Sequence, residues 1–214
     1  MNFRNLLASV AFLVLVLTAK PSAQALDYAS TVNSFISFPG DTTFSFSPTA
    51  DNFIVTTGTA SGLSGEITGT FTIGTITTVG NVSTAPVTGT GGFLVHDGAF
   101  TFSASLVWIN VSQIGTGGVL NLDGSVNLTG ITYGGSNPDL MALAAAGSGL
   151  NALTFQFVPA VSLATLRNGP GPYSTSFSGS VAVPEPGSTA LIVFGLGVLT
   201  AAMVRSQAKN RIKA

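Results

Sequence analysis

Phe100-Thr101-Phe102-Ser103-Ala104-Ser105-Leu106-Val107-Trp108-Ile109-Asn110-Val111 is the stretch that decides the fold class. Phe100, Phe102, Ala104, Leu106 and Trp108 recur at every second position, the period of a strand with one buried face. Val107, Ile109 and Val111 make its second half apolar on both faces, which predicts a central, buried end. Upstream, Phe93-Leu94-Val95-His96-Asp97-Gly98-Ala99-Phe100 reads as a hairpin turning at His96–Gly98. Downstream, Leu120-Asn121-Leu122-Asp123-Gly124-Ser125-Val126-Asn127-Leu128 reads as another, turning at Asp123-Gly124. An Asp-Gly pair accepts the positive φ that a tight hairpin needs.

The same pattern continues in both directions. Thr42–Ser47 alternates around Phe44 and Phe46, and Phe53–Thr57 is a second apolar run. Glu66–Thr77 places Ile67, Phe71 and Ile73 on one face; Leu153–Val158 and Tyr173–Val183 follow as later strands. The Gly/Thr-rich stretches Thr57–Gly65, Thr88–Gly92 and Gly115–Gly118 read as loops. One helix is expected: Asn137 caps it, Pro138 takes its first position, Asp139 meets the N-terminal dipole, and Leu140–Ala146 run to Gly147. Short strands at this spacing with one short helix predict an all-β, antiparallel β-sandwich or jelly-roll-like domain.

Charge narrows the function. Between residues 26 and 182, Asp27, Asp41, Asp51, Glu66, Asp97, Asp123 and Asp139 face Arg167 alone, a net charge of about −6. The whole chain sums to −1 only because the other basic residues lie at its two ends. A body this acidic is a poor partner for nucleic acid. The chain has no cysteine, so thiol nucleophiles, zinc–cysteine sites and disulfides do not arise.

The residues suited to catalysis are sparse. His96 is the only histidine and has Asp97 as its sequence neighbour, whereas a catalytic triad needs a separately placed carboxylate. Ser64 lies outside any Gly-x-Ser-x-Gly elbow. Glu66 with Asp97 or Asp123 is the one carboxylate set that would suit glycoside hydrolysis, but a mid-strand Glu66 reads first as a surface residue. Trp108, Tyr28, Tyr133 and Tyr173 are the side chains able to stack on sugar rings. Trp108 reads as core, while Tyr133 and Tyr173 sit beside glycines at loop edges. No catalytic residue, metal site or cofactor is expected.

The two ends carry targeting signals. Arg4, the apolar run Leu6–Leu17 and Ala23-Gln24-Ala25 make a secretory signal peptide over residues 1–25, with cleavage after Ala25. At the other end, residues 188–204 are uncharged and span about 25 Å as a helix, close to the roughly 30 Å of a bilayer core. Arg205, Lys209, Arg211 and Lys213 follow and hold that end on the cytoplasmic side, so the body lies outside. Pro184-Glu185-Pro186 ahead of the span is stiff and extended.

Pro184-Glu185-Pro186, an apolar helix close behind it and a basic end together resemble the PEP-CTERM sorting signal of Gram-negative bacteria. The resemblance covers residues 183–214, with the basic end at 205–214. It implies that an exosortase, a membrane-embedded transpeptidase-like enzyme, recognises the tail and passes the body to the cell surface or exopolysaccharide matrix. The expectation is therefore a non-enzymatic, exported structural or adhesive protein, held in the inner membrane before sorting, with a β-rich extracytoplasmic domain over residues 26–182. The rival readings are a permanently anchored periplasmic carbohydrate-binding module and a polysaccharide hydrolase using Glu66.

Overall fold

The computed structural model describes residues 25–115 and 121–183. The signal peptide, the Pro184–Pro186 motif, the apolar segment 188–204 and the basic end all lie outside the described residues. Among those described, no helix is long and apolar enough to cross a membrane.

The chain opens with β1 (Ala25–Ser30), β2 (Ile36–Phe38), β3 (Thr43–Phe46) and β4 (Phe53–Val55). Then come β5 (Ser64–Ile73), β6 (Thr77–Val79), β7 (Val82–Thr88), β8 (Thr90–Asp97) and β9 (Phe100–Ile114). β10 (Asn121–Thr132) leads through helix α1 (Pro138–Ala146) to β11 (Ser148–Gln156). Helix α2 (Leu163–Asn168) precedes β12 (Tyr173–Thr175) and β13 (Phe177–Ala182).

Every pairing is antiparallel, and the pairings close on themselves. Following partners from β1 leads through β4, β5, β8, β9, β10, β11 and β13 and back to β1. The remaining strands extend this ring. β2 pairs with β3 and β12 where β1 pairs with β4 and β13, and β7 runs into β8 so that the two together flank β9. The expected all-β antiparallel class holds. Its connectivity is a closed up-and-down meander, in which the ring strands pair in chain order, and not the Greek-key crossing that a jelly roll requires. Closure leaves the eight ring strands without free edges, and the short β6 and β12 keep one partner each.

Alternation along the strands sends most apolar side chains inward and most Ser and Thr outward. The interior is packed with rings. Phe44 stacks on Phe71 at 5.3 Å and meets Trp108 edge-on at 4.9 Å, while Phe53 lies 5.0 Å from Phe93 and 4.7 Å from Tyr28. Several of these rings lie over a glycine on a neighbouring strand. A Cβ added to Gly124 would stand 2.7 Å from Trp108 Cη2, one on Gly65 would strike Phe53, and one on Gly179 would strike Tyr28.

Gly124 overturns one expectation. Asp123-Gly124 is not a turn; it lies inside β10, which is unbroken from Asn121 to Thr132. Gly124 opposes Val111 on β9, and the absence of a side chain leaves room for the indole of Trp108. The other hairpin forms one residue later than expected, at Gly98-Ala99, with Asp97 opposite Phe100 and Gly98 at φ 60. His96 therefore sits on the strand.

The far half of β9 also differs from expectation. Val107 and Ile109 remain 41% and 44% exposed, while Val111 is buried. Trp108 opposes Val126, but Asn110 opposes Ser125, so Ile109 is an extra residue on β9. This bulge reverses which parity faces inward and turns Val111 and Gln113 into the core. Elsewhere Thr88–Gly92 is strand apart from Gly89, and Tyr173–Val183 is broken at Ser176. Thr77 belongs to β6, separate from β5.

Among the described residues two helices are present, where one was expected in the body. α1 matches its expected limits: Asn137 Oδ1 accepts from the N–H groups of Asp139 and Leu140, and Gly147 ends the helix at φ 70. The missed helix, α2, is capped by Ser162, whose Oγ accepts from Thr165 N at 3.1 Å. Leu163 and Leu166 bury its inner side, and Leu163 N donates to Gln113 Oε1 of β9.

Candidate functional site

Of the sorting and orientation residues, Pro184, Glu185, Pro186, Arg205, Lys209, Arg211 and Lys213 lie outside the described residues, as does Ala23. Ala25 is the first residue of β1 and opposes Ala182 of β13. Leu26, next along, is buried. The two ends of the described body therefore meet on adjacent strands.

The carboxylates proposed for glycoside hydrolysis are not brought together. Glu66 opposes Leu94, which opposes Ser103, which opposes Thr132. Asp123 lies nine positions before Thr132 on β10, or about 30 Å along the strand. A retaining or inverting pair needs a separation of roughly 5–9.5 Å. Asp97 has the opposite parity to Glu66's partner Leu94, so it belongs to the other face of β8. Its Oδ2 accepts a hydrogen bond from Tyr133 Oη.

His96 lies near Asp51 as well as its sequence neighbour: its Nε2 stands 3.8 Å from Asp51 Oδ1. Ser64 opposes His96 across β5 and β8, so a serine, a histidine and an aspartate share one outer face. This arrangement lacks the features of a charge relay. The His96–Asp51 separation is beyond hydrogen-bonding range, and both side chains are substantially solvated, at 35% and 51% exposure. The register that aligns Ser64 with His96 depends on pairing across 32 positions of sequence, which no local motif reports.

The aromatic candidates are structural. Trp108 is buried. Tyr28 is buried too, and its Oη donates to Asn151 Oδ1 at 2.9 Å; burial pushes its ionisation well above the usual phenol range. Tyr133 is half-buried against Phe102 and links the barrel rim to α1: it donates to Asp97 and accepts from Asn137 N at 3.0 Å. Desolvation, with the Asp97 hydrogen bond second, raises its pKa. Tyr173, on β12, opposes Phe38 of β2 and is half-buried.

The densest polar cluster is thus a latch. Asp139 Oδ2 accepts from Thr59 N and Ala60 N, and Asn137 Nδ2 donates to Thr59 O at 3.0 Å, fastening α1 to the loop between β4 and β5. Among the described residues, no group of three or more His, Asp or Glu side chains is placed to hold a metal ion. No family model matches the chain, and searches of curated proteins and of solved structures gave no match. The fold defines the class: a closed antiparallel β-barrel with an aromatic-filled interior.

Proposed function

We propose that the chain is an exported, non-enzymatic protein of the cell surface or exopolysaccharide matrix, whose tail is read by an exosortase-like enzyme of the inner membrane. The observation that carries this is the order of the C-terminal signals: Pro184-Glu185-Pro186, the uncharged run 188–204, then Arg205, Lys209, Arg211 and Lys213. β13 stops at Ala182, just before the motif, which supports this reading.

The body then serves as a stable passenger with a polar, acidic exterior, contacting polysaccharide through its Ser-, Thr- and Asn-rich outer faces. Intact mass of the mature protein from the producing cell tests this, with residues 1–25 and the hydrophobic tail both expected to be missing. A tail present on all recovered protein overturns it and leaves the anchored binding module. Replacing Pro184, Glu185 and Pro186 with Gly and Ser separates the two: mislocalisation supports sorting, and normal localisation supports a stalk.

A further inference from the structure

β6 stands at the margin of the ring. It pairs with β7, and among the described residues no strand takes its other side. Thr77, Thr78 and Val79 are all exposed. The outer row of backbone N–H and C=O groups on β6 is therefore a template for another strand. Such edges are ordinarily blunted by a charge, a proline or a bulge, and β6 has none of these; only its shortness limits it. β12 also has one partner, but its Thr175 Oγ1 donates to Gln156 O of β11 and its Tyr173 is half-buried.

The face beside the β6 edge is apolar. Val79 opposes Val82, and Val82 opposes Ile114, so three branched side chains form one cross-strand row running onto β9. All three are exposed, Val79 at 76%. Residues 67–95 contain no ionisable side chain, which leaves β6 and β7 uncharged on a body of net charge about −6. In the neighbouring row Thr77 opposes Thr84, Thr84 opposes Ser112, and Ser112 opposes Asp123. Three strand spacings make about 14 Å, more than the Debye length of about 10 Å at roughly 0.1 M salt. Asp41 and Arg167 lie by Ile73 at the end of β5 and offset each other.

We infer that the β6 edge pairs with the β6 edge of a second copy of this chain. Two acidic bodies repel, and this uncharged margin is where they approach at least cost. An antiparallel contact centred on Thr78 is isologous: Val79 meets Thr77 of the second copy, and Thr77 meets its Val79. Each Ile114-Val82-Val79 row then continues into the Thr77-Thr84-Ser112 row of the other copy. The two-fold consumes both edges and stops at a dimer. Three paired residues make a small interface, so the contact is weak and responds to local concentration. It uses strands of the body alone and stands apart from the sorting reading.

The chain has no cysteine, so Thr78→Cys in the full chain in detergent reports this contact alone. Oxidation with copper–phenanthroline should join two copies through position 78 about tenfold faster than it joins copies of Thr129→Cys, an exposed site on β10. The Thr129→Cys rate also measures encounters made through any other part of the chain. Adding Val79→Lys, or separately Thr77→Lys, sets like charges on the shared edge and should bring the Thr78→Cys rate down to that of Thr129→Cys. Both positions are exposed, so the thermal midpoint should not move. Equal rates for the two cysteines overturn the inference, as does a Thr78→Cys rate unmoved by both lysines in a folded chain. In the producing cell, a Thr78→Cys product whose mass is not that of two copies overturns self-pairing and gives the edge to a different protein.

Discussion

Asp97-Gly98 and Asp123-Gly124 are the same dipeptide in two unlike places. Gly98 turns the chain between β8 and β9 at φ 60, and a Cβ there would meet nothing within 4 Å. Gly124 lies inside β10 beneath Trp108, where a Cβ has no room. One glycine is needed for its backbone angle and the other for its missing side chain. Local sequence supplies a reason for the first. The reason for the second sits sixteen positions away on a neighbouring strand.

Substitution separates the two roles. Gly124→Ala should have the largest effect, a loss of about 1–3 kcal/mol from overpacking against the indole, read as a drop in thermal midpoint. Adding Trp108→Leu should recover part of that loss relative to the sum of the single changes, because the two sites touch. Strict additivity in this cycle would refute the close-approach explanation. Tyr28→Phe removes the partner of buried Asn151 Oδ1 and should cost about 1–3 kcal/mol by chemical denaturation, although the ring stays in place over Gly179.

Gly98→Ala should cost about 1 kcal/mol through φ strain alone, and Gly98→Asn less, since Asn tolerates the left-handed region. Neither should couple to Trp108. The smallest effect is a pH slope. Tyr28 and Tyr133 have raised pKa values in the folded state, so their contribution is fully present below the unfolded value near 10.0. It should fade as pH rises from there towards the folded values. Tyr28→Phe should flatten that alkaline slope in denaturation curves measured at successive pH values.

Local signals carried much of the fold. The Asn137-Pro138 cap and the Gly147 stop gave α1 its limits, and period-two alternation located β3, β5 and the first half of β9. The remainder depended on partners distant in sequence. The bulge at Ile109 shows only in the pairing of β9 with β10, and it decides that Val111 faces the core although Val107 faces solvent. The short α2 was recoverable from Ser162 and Gly169 flanking Leu163–Asn168. Ring closure was not, because Leu26 and Val181 are related only by folding. The absence of a Glu66–Asp123 site was equally invisible, since both residues lie on strands and only register shows how far apart they are.

The meeting of Ala25 with Ala182 makes the order of the strands around the circle independent of where translation begins. A gene rearranged to start at Ala99 and finish at Gly98, with a short linker joining Val183 to Leu26, would encode the same circle of neighbours. For this architecture the position of the ends leaves every strand with the same neighbours.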